Sequence, residues 1–152
     1  MPQRIFITGY GIISCIGNNI DENLTSLLQS KAGTGRIRHV ETLLKDELLV
    51  GEVDKTLDEL FAMAGIIPVE GYSRNTLLGT IAAQEAFSHA HLQENRELKT
   101  GLISATTVGG MDRCELYYND FLTNDTRNAS SIRTIVPIAP RKLQKFWEFM
   151  IS

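Results

Sequence analysis

The chain's 152 residues are enough for one domain with its own core, and its 43% hydrophobic and 22% charged content is that of an ordinary globular protein. A net charge of −3 without a dense Lys/Arg stripe argues against a nucleic-acid partner. The two cysteines, Cys15 and Cys114, have neither zinc-site nor redox spacing, so no metal and no cofactor is expected.

Ile5, Phe6 and Ile7 form a β-rich run, predicted as a strand over about 3–9, and a turn punctuated by Gly9, Gly11 and Gly17 follows. A helix is predicted from an Asp21 N-cap to about Ser30, with Leu24, Leu27 and Leu28 on one inward face. Lys31 to Gly35 reads as a breaker loop, and Leu48 to Val53 as a short strand. Thr56 caps a short helix with Leu57, Leu60, Phe61 and Ala64 on its apolar face, and Gly65 ends it. A longer helix begins near Ser73, with Leu77, Leu78, Ile81, Ala82 and Ala86 inward and His91 near its end. Gly101 to Thr106 is predicted as a buried strand, and the Gly109-Gly110 pair leads into a helix at about 111–123. The alternation argues for an α/β layer. No apolar run approaches the ~20 residues that span a bilayer, and the Met1 to Arg4 start lacks a signal-peptide apolar core. No membrane contact and a cytoplasmic location are therefore expected.

Four stretches, in order, resemble the β-ketoacyl-acyl-carrier-protein synthases, thiolase-fold condensing enzymes. Arg4 to Leu28 is similar to that family's "VVITGxGxVSPLG" strand-turn and helix. Ser73 to Phe87 is similar to its "DRxxxLALxAAxEAL" helix, where Gly79, Ala82, Ala83 and Ala86 permit close packing. Thr100 to Gly110 is similar to its "GVIxGTxxGG" strand and loop, and Asp112 to Leu122 matches in helical character alone. Cys15 stands where the family has proline, Ser73 where it has an acid, and Ala105 where it has the first glycine of the loop.

The resemblance implies the N-terminal part of a thiolase-like layered αβα domain, truncated. It also implies an acyltransferase: decarboxylative Claisen condensation of an acyl thioester with a malonyl-carrier thioester, in fatty-acid or polyketide-type synthesis. In that family a cysteine at a helix N-terminus carries the acyl group, and two histidines stabilise the developing charges. The family's "TACSS"-like nucleophile motif is absent from this chain, so no catalytic residue is assigned and no condensation is expected from it alone. By the same resemblance Thr107, Val108, Gly109, Gly110 and Met111 border an acyl pocket, with Val108 the sharpest candidate. A plain strand-to-helix turn is the alternative. Arg127 and Arg133 are candidates for contact with acyl carrier protein, and a homodimer or a synthase partner is implied. A non-catalytic subunit that binds a complete synthase, or a folded piece with no function of its own, remains open.

Cys15 reads as a small buried residue in the proline's place, and Cys114 as a structural residue inside a helix. His89 and His91 are two apart on a helix and point to different faces, which argues against joint chelation. His39 has no partner in sequence, and Gly9-x-Gly11 lacks the third glycine of a dinucleotide loop.

The family region is expected over 1–134, with a non-matching tail over 135–152. Leu143, Phe146, Trp147, Met150 and Ile151 share a helical face, so the tail could form a docking helix. A frameshift is the other reading. One allowed codon choice for Ile135 to Ile151, read one nucleotide earlier, gives CADSTEKIAKVLGIYD, which carries a helix start, a helical apolar face and a glycine stop.

Overall fold

A computed structural model describes residues 4–69, 72–94 and 100–106, together with Met111 and Tyr118. Its elements are helix α1 (Ile20–Leu28), strands β1 (Thr34–Arg36) and β2 (Leu49–Gly51), helices α2 (Leu57–Ala64) and α3 (Arg74–His89), and a 3₁₀ turn (Leu92–Glu94).

The core lies between α2 and α3. Leu60, Phe61 and Ala64 recur at helical spacing on α2 and meet Leu77 and Ile81 of α3, all buried. Ile13, Leu57, Ile66, Tyr72 and Leu78 pack around them, and the rings of Phe61 and Tyr72 meet edge to face at 5.7 Å. Both ends of α2 are closed as its sequence predicts. Thr56 and Glu59 form a reciprocal capping box, the Glu59 N–H donating to Thr56 Oγ1 at 3.2 Å and the Thr56 N–H to Glu59 Oε2 at 2.7 Å. Gly65 ends the helix in the left-handed region at φ 65°, and the Ile66 N–H donates to the Phe61 carbonyl at 3.1 Å. Ser73 caps α3, its Oγ accepting from the Thr76 N–H at 3.2 Å. Helix α3 stops at His89, so His91 lies beyond it at φ 52°.

The opening segment packs on the small-residue face of α3. A Cβ added at Gly11 would stand 2.1 Å from the Ala82 carbonyl oxygen, and one at Gly9 would stand 2.6 Å from that of Ala86. Here glycine serves close backbone approach, and the close packing expected at Ala82 and Ala86 takes place.

Several expectations are corrected. The strand expected at about 3–9 is not formed over the described residues 4–9, where Ile5, Phe6 and Ile7 are 95%, 73% and 88% exposed. Gly101 to Thr106 is likewise neither strand nor buried, and Ile103 is 97% exposed. A strand exists only where another supplies its ladder hydrogen bonds, and among the described residues neither run has one. The sheet that forms is the antiparallel pair β1–β2, with Thr34 opposite Gly51 and Arg36 opposite Leu49. It places a strand inside the expected breaker loop. Helix α1 is capped by Asn19, two residues before the expected Asp21, with the Asn19 side chain accepting from the Glu22 N–H at 2.8 Å. Its leucines do not face inward: Leu24, Leu27 and Leu28 are exposed, whereas Asn23 and Ser26 are buried. The polar face is drawn in because it has partners. Ser26 Oγ donates to the Ile16 carbonyl at 2.6 Å, and Asn23 Oδ1 accepts from the Ser14 hydroxyl at 2.5 Å. The helix expected at about 111–123 lies outside the described residues except for Met111 and Tyr118. Three helices and a small sheet give the described residues an α/β composition.

Candidate functional site

The turn between the opening segment and α1 is closed by a Ser14–Gly17 bridge, with the Ser14 N–H donating to the Gly17 carbonyl at 2.8 Å. Cys15 and Ile16 therefore sit at its tip. That tip faces the β1–β2 pair across a groove of about 450 Å³, whose lining includes Cys15, Lys31, Arg36, Arg38, Glu52 and Asp54. Cys15 is exposed, which corrects the buried position expected for it. Its Sγ lies over the hairpin, so close that a Cβ on Gly33 would stand 2.5 Å from it.

The far wall of the groove is a charge cluster that the sequence does not reveal. The Arg38 N–H donates to Glu52 Oε2 at 2.8 Å, and the Arg38 guanidinium pairs with Asp54. His39 Nε2 lies 3.0 Å from Asp54 Oδ1, which supplies the partner missing from its sequence neighbourhood. Hydrogen bonds from His39 and then Arg38 hold the Asp54 carboxyl below its ordinary range. On the α1 side the Asn18 backbone N–H and side chain donate to Glu22, which lowers that carboxyl as well. Nucleophilic chemistry at a thiol requires thiolate and a partner that generates or holds it. No hydrogen bond to Cys15 is formed by His39, which faces Asp54, or by His89, whose Nδ1 accepts from the Tyr10 N–H at 3.4 Å. His91 turns away to Glu94, at 3.4 Å, so His89 and His91 serve different neighbours.

Two charged side chains hold the opening turn and the helices together. Glu85 of α3 accepts from the Ile12 N–H on one carboxylate oxygen and from the Ile20 N–H on the other, each at 2.8 Å. One carboxylate thereby fixes the end of the opening segment and the start of α1. Arg74 donates to the Lys55 carbonyl at 2.6 Å and to that of Val53, binding α3 to the approach to α2. Sequence reasoning assigned neither residue a role. The available signal was a single carboxylate set among the small residues of α3.

Of the expected pocket residues, Met111 is described and is 49% exposed. Thr107, Val108, Gly109 and Gly110 lie outside the described residues, as do Arg127, Arg133 and Cys114. No helix among the described residues is long and apolar enough to cross a membrane.

The family model described as "Beta-ketoacyl synthase, N-terminal domain" matches residues 2–144. The chain is similar to 3-oxoacyl-[acyl-carrier-protein] synthase 2 of Staphylococcus aureus strain COL, 26% identical over 135 residues that cover 84% of this chain and 31% of that protein. The synthase 2 of strain N315 is 25% identical over the same shares. A shorter stretch is similar to 3-oxoacyl-[acyl-carrier-protein] synthase 1 of Buchnera aphidicola subsp. Baizongia pistaciae, 54% identical over 39 residues, 26% of this chain and 10% of that one. The chain thus spans about a third of the length of the longer-matching curated relatives. No solved structure matches it.

Proposed function

Since this chain belongs to the β-ketoacyl synthase family by its N-terminal domain, we propose that it serves as the scaffold portion of a condensing acyltransferase. The whole reaction is decarboxylative Claisen condensation on carrier-bound thioesters, in fatty-acid or polyketide-type synthesis, within a thiolase-like layered αβα domain. In this reading residues 1–134 hold the region in place and supply none of the reacting cysteine or histidine groups. Thr107 to Met111 border the acyl pocket, and Arg127 and Arg133 meet acyl carrier protein.

The observation that carries the reading is the family match over residues 2–144, nearly the whole chain. Its motif residues support a holding role. Glu85 and Arg74 spend their charges on backbone groups, and Ser73 in the family's acid position still caps α3. Cys15 offers a thiol in an open groove with no histidine bonded to it.

The test is intact-mass analysis after incubation with acyl-carrier and acyl-CoA thioesters. The expected result is no stoichiometric acyl adduct on Cys15 or Cys114. Full acylation of either would overturn the scaffold assignment.

A further inference from the structure

The groove between the opening turn and the β1–β2 pair is given no use by the scaffold role. None of its lining residues is among those assigned above to an acyl pocket or to carrier protein. Its charged lining sets Lys31, Arg36, Arg38 and Lys55 against Glu22, Glu52 and Asp54. That balance is too even to select a ligand by net charge. What the groove can take is decided by which of these groups are already engaged.

The carboxylates are all occupied. Glu22 accepts from the Asn18 N–H and side chain on one oxygen, each at 2.8 Å, and from the Asn19 amide on the other at 3.2 Å. Glu52 accepts from the backbone N–H groups of Arg38 and His39, at 2.8 and 3.1 Å. Asp54 accepts from the Arg38 guanidinium and from His39 Nε2. The cations are not used up. Lys55 pairs with Glu59 at 3.2 Å, but Arg36 spends only Nη1, on the carbonyl and carboxylate of Asp46, and Arg38 spends only Nη1, on Asp54. Lys31 Nζ has no acceptor among the described residues, and neither have Nη2 and Nε of the two arginines. The chain holds the arginines side by side. Thr34, Arg36 and Arg38 are exposed while Gly35, Ile37 and His39 are half-buried, the two-residue period of an extended chain.

A groove whose acceptors are filled and whose charged donors are unspent fits an anion. Its class follows from number and size. One guanidinium fork satisfies a carboxylate, whereas a phosphate has oxygens enough for two guanidinium edges and an ammonium together. The volume of about 450 Å³ is that of a small-molecule site and is larger than a bare oxyanion needs. Ile16, Ala32 and Val50 add an apolar side for an organic body. The geometry points to a binding site for a small phosphate monoester, its phosphoryl oxygens held by Lys31, Arg36 and Arg38 and its body lying along Ile16, Ala32 and Val50. This site does not depend on the condensing role.

Glucose 6-phosphate is the probe, titrated into the isotope-labelled full chain at fixed pH, with ionic strength held constant by sodium chloride. Two-dimensional amide NMR should show saturable shifts at Cys15 to Asn18 and Lys31 to Arg38. Glucose should shift none of them. Inorganic phosphate should move the same signals with weaker affinity, since it lacks the body. Lys31→Gln removes an ammonium that holds nothing among the described residues, so the spectrum outside the groove should match the parent's. Its affinity for glucose 6-phosphate should fall about tenfold, the loss of one charge-assisted hydrogen bond. Lys45→Gln, at an exposed lysine outside the groove, should bind as the parent does. Four results would overturn the site: shifts that do not saturate, acetate binding as tightly as the ester, inorganic phosphate doing so, or unchanged affinity in Lys31→Gln.

Discussion

At the residue scale, the folded state depends on a few side chains that reach across the sequence. Glu85 is the clearest, since its two oxygens hold Ile12 and Ile20, which are separated from it by 73 and 65 residues. Hydrogen bonds to charged groups contribute about 1.5–3 kcal/mol each when well shielded. With Glu85 partly exposed, Glu85→Ala should cost on the order of 2 kcal/mol in total. Glu85→Gln should lose less, because it keeps one acceptor. Chemical denaturation of the three proteins checks the order, and equal stability would mean that water replaces the carboxylate without loss. Gly11→Ala should be comparably damaging, at about 1–3 kcal/mol, because its methyl would meet the Ala82 carbonyl. The small residues of α3 were legible in the sequence as a close-packing face, whereas the segment that packs there, Gly9 to Gly11, was not. Glu85 was not, because a carboxylate on a helix reads as solvated until a second segment brings N–H groups to it. The Arg38–His39–Asp54 cluster was hidden for the same reason, since its members come together only when β1 pairs with β2.

At the element scale, α2 and α3 were legible because their signals are local. Thr56, Glu59 and Gly65 state the ends of α2 within ten residues, and the apolar spacing states its inner face. Leu77 is fully buried at the centre of the contact, so Leu77→Ala should cost about 2–5 kcal/mol, measured as a fall in the denaturation midpoint. Helix α1 was legible as a helix but not in orientation. Hydrophobic periodicity assumes that the apolar face turns inward, whereas the hydrogen bonds of Asn23 with Ser14 and of Ser26 with Ile16 decide the matter here. The runs at 5–7 and 102–103 failed as strands because β propensity is realised only beside a partner. The carboxylates at the element ends also set a pH response. Glu59 is lowered, first by the Thr56 backbone N–H, and Asp54 first by His39. A carboxyl whose folded-state pKa is depressed contributes stability above its unfolded value and loses it as pH falls through the folded one. Stability should therefore hold down to the ordinary carboxylate range, roughly pH 4, and decline below it. The Glu59→Gln, Asp54→Asn double variant should flatten that acid decline. An acid limb identical to the parent's would show that other groups set it.

At the scale of the whole molecule, the question is where the packed unit stops. The chain was expected to part from its family near Ile135, and the family match runs to residue 144, short of Trp147. We propose that the segment around Trp147 has no receiving groove, as out-of-frame translation would leave it. A selected docking helix would bury Phe146, Trp147 and Met150 together, and Trp147→Ala would then cost about 3–5 kcal/mol. Without a groove, Trp147, the chain's single tryptophan, emits as a solvated indole, and Trp147→Ala leaves the thermal midpoint in place. Two deletions locate the boundary. Removing 145–152 should change nothing, and removing 136–152 should also change nothing if the break is at Ile135. If residues 136–144 are packed as family structure, the second deletion lowers the midpoint while the first does not. A blue-shifted Trp147 together with a large loss on the shorter deletion would defeat the proposal, because an unselected segment has no reason to find a dry and complementary site.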